Sequence, residues 1–374
     1  MTGQVPQPTA VRLLDLADNA LDAGERAMLC TVVDLEGSGY ARPGSRLVIV
    51  SDGQRAGFVS GGCLERELMR LAWPATARGP ATLTFDTRGN PTQLGGRYNA
   101  GCEGCIHILC EPLDSDSLAL RSLRMRVEGT PQTTAVVLAS DDPAIAVGLR
   151  RDETEPGPLG FAFDSLVESA AASVTVSRAG VAVFAERCDP PPRLVIFGAG
   201  DDAIPLAAMA SQLGRQVVVV ASRPERLTRA RFPSVERVIA TAEEVCDRIA
   251  LSADDAAVLM THSFADDAAL LPTVLASSAS YVGLLGPKRR AARLMTELHA
   301  RGELPSPSHL DRLRSPIGLD LGAAGPEEIA VSILAEIVAA SHGRDGQPLR
   351  DRSTPINTPH RRIAIPAPPS SVPA

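Results

Sequence analysis

The sequence predicts an α/β protein in two parts: an N-terminal mixed α+β domain, followed by a C-terminal domain built on a parallel sheet. Three observations predict the second part. Leu194, Val195, Ile196 and Phe197 form an uninterrupted apolar run ending at Gly198, the pattern of a strand buried on both faces. Gly198-Ala-Gly200-Asp-Asp-Ala203 follows at once and opens a stretch where Leu206, Ala207, Ala210 and Leu213 recur at helical spacing. Further apolar runs at 217–220, 256–260 and 281–285 then alternate with helical stretches at 242–251 and 266–275. Strand, glycine turn, helix and second strand in that order describe a Rossmann-like unit.

The turn carries the chemistry. Gly198 suits a tight exit from the strand, and Gly200 lets a pyrophosphate approach the backbone. Asp202 stands at the helix start, and Ala203, where a third glycine often sits, is small enough for close helix–strand packing. The free N–H groups of that helix start make an anion site; the alternative is a strand-to-helix turn with no ligand. At the end of the second strand an NAD site expects an acidic residue, whereas the chain has Ala221-Ser222-Arg223. Arg223 reads either as a phosphate ligand or as a solvated surface residue.

Bulk properties exclude several classes. A net charge of −7 and 3% aromatic residues argue against nucleic-acid binding. No stretch approaches ~20 apolar residues, so no membrane span is expected. The N-terminus, Met1-Thr-Gly-Gln-Val-Pro6, lacks the charged and apolar regions of a secretory signal. Seven irregularly spaced cysteines form no disulfide framework. A cytoplasmic protein with reduced thiols is expected.

In chain order, residues 1–10 read as loose. Residues 11–23 predict an amphipathic helix and 27–35 a strand. A turn-rich loop spans 36–45, strands follow at 46–50 and 57–60, and a helix at 64–73. Between the last two, Cys63 follows Gly61-Gly62 at the predicted helix start. Backbone N–H groups and the helix dipole favour a thiolate there; the alternative is a small buried residue. Asn99-Ala-Gly-Cys102-Glu-Gly-Cys105 leads into a strand at 106–110, with Cys110 facing the core. With no second CxxC and no histidine pair at ligand spacing, structural zinc is not expected. A thiol pair that holds or passes sulfur, or ligates a soft metal, is the sharper reading. A helix at 118–127 and short strands at 133–138, 144–148, 172–176 and 181–185 complete the first half, with a loop at 152–158. The organisation expected is therefore a cysteine-bearing domain at 11–127, a small β element at 128–188, a proline linker at 189–192, the Rossmann-like domain at 193–343 and a disordered tail at 344–374.

Beyond the second strand, His262 lies just past the strand at 256–260. It reads either as a proton donor or phosphate contact, or as a hydrogen-bonded loop residue. Gly286-Pro-Lys288-Arg289-Arg290 groups three cations at the end of another strand, either an anion site or a solvated helix face. Residues 314–325 form a glycine-spaced loop, and Pro326-Glu-Glu328 starts a helix.

An ordered set of segments carries a resemblance. They are Glu36-Gly-Ser38 with Arg42-Pro-Gly44; Ser60-Gly-Gly-Cys-Leu-Glu65; Gly101-Cys102 through Glu111-Pro-Leu113; Phe197-Gly-Ala-Gly200 with Asp202-Ala203; and Arg231-Phe-Pro233. They continue with Thr261-His262; Val282-Gly-Leu-Leu-Gly-Pro-Lys288; Pro316-Ile-Gly-Leu-Asp320; and Pro326-Glu-Glu-Ile-Ala330. Together they resemble the XdhC/CoxI family of maturation factors for molybdenum hydroxylases. The chain departs from that pattern at Glu103, Cys105 and Ala221, where the family has glycine, an apolar residue and aspartate.

The resemblance implies a protein that binds molybdenum cofactor, as molybdopterin or its dinucleotide form. It implies delivery in sulfurated form to an apo-hydroxylase of the xanthine dehydrogenase or CO dehydrogenase type. A cysteine desulfurase partner and a homodimer go with it. The family's thiol positions fall on Cys63 and Cys102, expected to meet the molybdenum or its sulfur and to converge on the Rossmann crevice. Gly198, Gly200, Asp202, Ala203, Arg223, His262, Gly286, Lys288 and Arg289 are the expected cofactor-binding residues. Such a protein is a carrier more than a turnover enzyme. The rival readings are an NAD(P)-dependent oxidoreductase and a redox sensor switching through Cys102 and Cys105.

Overall fold

The computed structural model describes residues 8–37, 41–62, 64–86, 104–233 and 235–353. The chain divides into two units, Thr9–Pro190 and Pro191–Arg352. The α/β expectation holds. None of the helices among the described residues is long and apolar enough to cross a membrane.

The first unit contains α1 (Thr9–Asp22), β1 (Ala27–Gly37), β2 (Arg46–Val50), β3 (Arg55–Gly57), α2 (Glu65–Ala75), β4 (Ala81–Asp86) and β5 (Gly104–Leu113). It continues with α3 (Leu118–Glu128), β6 (Gln132–Ser140), β7 (Arg150–Asp152), α4 (Gly160–Ser169), β8 (Ser173–Arg178) and β9 (Val181–Cys188). These strands form two antiparallel sheets, ordered β3-β2-β1-β5-β4 and β7-β6-β9-β8. The two-residue period of a strand divides the first sheet between two cores. Met28, Cys30 and Val32 pack with Leu68 and Ala72 of α2, whereas Ala27 and Leu29 pack with Leu13 and Ala17 of α1 and Leu120 and Leu123 of α3. A bulge between Val32 and Asp34 shifts the register with β5. Val33 and Leu109 then pack with Val136, Leu138, Ala182 and Phe184 of the second sheet.

Buried charges also join the two sheets. Arg46 on β2 binds Glu186 on β9, which also takes Arg126 of α3 at 3.3 Å. Arg150 on β7 binds Glu111 on β5 at 2.7 Å, with both side chains at most 6% exposed. Burial by itself would push the Glu186 carboxyl up, but the Arg46, Arg126 and Arg150 guanidiniums outweigh it and hold the carboxyl below its ordinary range. Across β1 and β5, Cys30 and Cys110 face each other with sulfurs 3.8 Å apart. The bond to Cys110 and complete burial push the Cys30 thiol well up, so these are packing thiols, and Cys110 faces the core as expected.

Three expectations need correction. Residues 144–148 are not a strand: the Asp142 carboxylate accepts from the Ala144 N–H at 2.9 Å and folds the segment into turns, and pairing with β6 resumes at Arg150. The strand expected at 57–60 ends at Gly57. The helix expected at 242–251 is a single turn at Val245–Arg248. In the first unit three elements are additional, β4, β7 and α4; the sequence Gly160-Phe-Ala-Phe-Asp164 starts α4 with residues of weak helix propensity.

The second unit contains β10 (Arg193–Phe197), α5 (Ala203–Gln212), β11 (Gln216–Ala221), β12 (Glu236–Ile239), α6 (Val245–Arg248), β13 (Ala256–Leu259) and α7 (Phe264–Ala276). After them come β14 (Tyr281–Leu284), α8 (Lys288–Ala300), α9 (Pro307–Leu310), β15 (Leu313–Arg314) and α10 (Pro326–Ser341). All six strands are parallel, in the order β12-β11-β10-β13-β14-β15. That is the doubly wound order, reversing direction between β10 and β13. Leu194 and Ile196 face α5 and α10, while Val195 and Phe197 face α7 and α8. Both faces are covered, which explains the unbroken apolar runs.

The single tryptophan of the chain, Trp73 on α2, reports the first unit; Arg26 lies 4.7 Å over its ring. Glu186→Gln leaves Arg46 buried without its anion and is expected to cost roughly 3–5 kcal/mol. Because the folded carboxyl is depressed, its contribution is complete above the ordinary carboxylate range and fades as pH falls through the folded value. Urea titrations followed by Trp73 fluorescence check both points: the variant should unfold earlier at neutral pH and lose less stability on acidification.

Candidate functional site

The crevice at the carboxyl ends of β10 and β13 is the place where a sheet of this order offers a ligand seat. Its shape starts from Gly198, which leaves β10 at φ +123°, with a Cβ there falling 2.3 Å from the Met260 carbonyl oxygen. The chain therefore crosses the end of β13 and starts α5 at Ala203, which is fully buried against β10. Gly200 is small for a different reason. A Cβ there would lie 2.4 Å from Asp202 Oδ1 and 3.1 Å from His262 Nε2. Asp202 is folded back over Gly200, and its Oδ2 lies 2.9 Å from His262 Nε2. The Asp202 side chain is 15% exposed and the His262 side chain 59%. Oδ1 of Asp202 is buried and makes no hydrogen bond among the described residues.

Neighbouring groups hold this arrangement. Arg231 donates to the Ala199 carbonyl at 3.0 Å and pairs with Asp201 at 2.9 Å, clamping the glycine loop from outside. Thr261 Oγ1 donates to the buried Asp267 carboxylate at 2.6 Å, and Asp267 also takes Arg290 at 2.6 Å. Ser263 caps α7 by accepting from the Asp266 N–H at 3.2 Å. Thus β13, α7 and α8 are tied together around position 262.

The remaining expected residues fall along the same edge. Arg223 is exposed just beyond β11, the strand beside β10 on one side. On the other side, beyond β14, Gly286 packs on Arg290, with its absent Cβ 2.8 Å from Arg290 Cδ. Lys288 and Arg289 are exposed in the first turn of α8. Cations at a helix N-terminus oppose the dipole by about 0.3–1 kcal/mol each, so this turn favours an anion far more than the N-terminus of α5, which carries Asp201 and Asp202. A dinucleotide's pyrophosphate would meet the Asp202 carboxylate over Gly200, and its ribose would find Ala221 in place of an acid. In this arrangement the residues do not fit NAD in the usual manner, while Arg223, two residues beyond Ala221, is the kind of cation that takes an NADP 2′-phosphate.

Cys63 and Cys102 lie outside the described residues, as does Glu103. The residues flanking position 63 are tightly held. Ser60 Oγ accepts from the Gly62 and Leu64 N–H groups at 3.2 and 3.1 Å, and Glu65 Oε1 accepts from Val59 and Ser60 N–H at 3.2 and 2.8 Å. Burial pushes the Glu65 carboxyl up, yet the bonds from Ser60 and Val59 bring it below its ordinary range. Cys105 is buried in β5, its sulfur 3.7 Å from His107 Nε2. Reading the sequence missed the positioning roles of Ser60, Glu65, Arg231 and the Asp267–Arg290 pair. The one signal available for them was their place inside or beside the motifs.

The two crevice glycines separate fold from site. In Gly198→Ala, backbone meets backbone at positive φ, and a loss of at least about 1–3 kcal/mol is expected from strain alone. In Gly200→Ala, side chains alone must move, so chemical denaturation should show a smaller loss, while the imidazole resonances of His262 shift as Asp202 is displaced.

Comparison with known proteins follows the same division. Residues 194–337 match the XdhC Rossmann domain model, and residues 20–86 match the model of the XdhC and CoxI family. A Bacillus subtilis protein described as a probable xanthine dehydrogenase subunit is 31% identical over 331 residues, covering 86% of this chain and 96% of that protein. The molybdenum cofactor insertion chaperone PaoD of Escherichia coli is 26% identical over 330 residues, 87% of each chain. A crystal structure described as a xanthine dehydrogenase from Bacillus halodurans superposes with a TM-score of 0.71 at 28% identity, covering 89% of this chain and 96% of that one. Matched in both halves and aligned with relatives over most of its length, the chain belongs to the XdhC and CoxI family.

Proposed function

We propose that this protein is a maturation factor that binds molybdenum cofactor and delivers it, sulfurated, to an apo molybdenum hydroxylase of the xanthine dehydrogenase or CO dehydrogenase type. The observation that carries the reading is the alignment with an insertion chaperone over 87% of both chains. The chemistry of the crevice supports it. Molybdenum cofactor is an anionic cargo, and the first turn of α8 offers Lys288, Arg289 and free N–H groups to its phosphate. That turn lies at the same carboxyl edge of the sheet as the glycine loop, and Arg223 lies at that edge beyond β11. Cys63 and Cys102 supply soft ligands for molybdenum or its sulfur. A cysteine desulfurase as sulfur source, a homodimeric assembly and a cytoplasmic site of action complete the proposal. The protein acts as a carrier, not as an NAD-dependent oxidoreductase, because Asp202 stands where the pyrophosphate would lie and Ala221 where the NAD ribose would need an acid.

Binding of molybdenum cofactor to the purified chain tests this, alongside NADH and NADPH. Cys63→Ala and Cys102→Ala are each expected to weaken cofactor binding roughly tenfold or more, about 1.4 kcal/mol. Binding of NADPH alone, indifferent to both cysteines, would overturn the carrier reading and favour a reductase.

A further inference from the structure

Three non-glycine residues among those described have positive φ: Ala170, Ala179 and His262. Ala170 caps the C-terminus of α4, and Ala179 turns the hairpin between β8 and β9. Left-handed backbone is ordinary in both places. His262, at φ +60°, serves neither purpose. It lies between the end of β13 and the cap of α7, and a residue held in this backbone region points to a functional constraint. The consequence of that backbone is visible: the ring comes within 2.9 Å of the Asp202 carboxylate. Asp202, in turn, makes no cap bond to its own helix. Its Oδ1 is buried with no partner, so among the described residues His262 is the one donor its carboxylate has.

We propose that Asp202 and His262 form a proton-transfer pair acting on the ligand of the crevice. This rests on the crevice being the cofactor seat proposed above, and adds what the protein does to the ligand there. Bonding to Asp202 fixes the neutral ring with its proton on Nε2 and leaves the lone pair on Nδ1. The ring is 59% exposed at the mouth of the crevice. A ligand bearing a thiol or an acidic hydroxyl gives its proton to Nδ1, the N–H bond forming as the S–H or O–H bond breaks. The bonding pair stays on the ligand as a thiolate or alkoxide, and the imidazolium is balanced by the Asp202 carboxylate through Nε2–H. Return of the proton from Nδ1 releases the ligand in its protonated form. His262 is the group that touches ligand, and Asp202 is the positioning residue that sets the tautomer. Gly200 lacks a side chain because the pair occupies that space.

Two measurements on the full chain test the pair. In long-range proton–nitrogen spectra of protein labelled in its histidine rings, His262 is assigned by the signals lost in His262→Gln. At about pH 8, above the ordinary imidazole range, its proton should sit on Nε2, and Asp202→Asn should move it to Nδ1 or to a mixture. Calorimetry shows whether the parent binds molybdenum cofactor, and the same spectra of the complex show where the proton goes. In the parent complex Nδ1 should move to the signal of a protonated ring nitrogen as it takes the ligand's proton, and in Asp202→Asn this change should be lost or reduced. Binding that leaves the parent's ring neutral overturns the pair and leaves the carrier reading intact. Absence of binding by the parent overturns the carrier reading; the tautomer then decides the pair, an Nδ1–H ring in the parent overturning it.

Discussion

The carboxyl edge of the parallel sheet depends on the backbone of Gly198 lying against the Met260 carbonyl. Parallel pairing brings Phe197 and Leu259 into register, and the next residue on each strand has to pass the other. With no side chain at 198, the chain leaves β10 over the end of β13, and α5 starts close enough for Asp202 to reach His262. A larger residue would push the two strand ends apart and dissolve the contact between a helix start and a loop that are 60 residues apart.

Charge is used in the two units in different ways. In the first, Arg46, Arg126 and Glu186, with Arg150 and Glu111, pin one antiparallel sheet to the other where apolar packing alone would fix no register. Such pairs add little net stability because desolvation offsets the attraction, but removing one partner is costly. In the second, acidic side chains sit at the starts of α5, α7 and α10, in agreement with the helix dipole. The start of α8 breaks that agreement with Lys288 and Arg289, while Arg290 is taken by Asp267. An unfavourable arrangement that persists at the edge where ligands bind is more informative than the favourable ones.

The parallel sheet was legible because strands buried on both faces must be apolar throughout, and 194–197, 217–220, 256–260 and 281–285 are. The first half was less so. At 144–148 a short apolar run lost to the turn-forming carboxylate of Asp142, a local hydrogen bond that hydrophobic patterning does not register. The helix α4 was hidden by glycine and phenylalanines whose poor helix propensity is outweighed by packing of Ala162, Phe163 and Leu166 against the second sheet. Among the site residues, Gly198, Gly200, Asp202, Ala203 and His262 were all singled out from the sequence, but as separate candidates.

Apolar periodicity and glycine placement, both local properties, determined the α/β class, the Rossmann-like unit and the set of motifs that mark the family. Only the tertiary structure decided that Gly200 makes room for Asp202, that Asp202 serves His262 instead of its own helix, and that Arg231 holds the glycine loop. Those facts depend on strand order and on side-chain direction between residues tens of positions apart. A one-dimensional pattern carries the means to build such a crevice, but the partner each side chain finds there is set by which strand ends become neighbours.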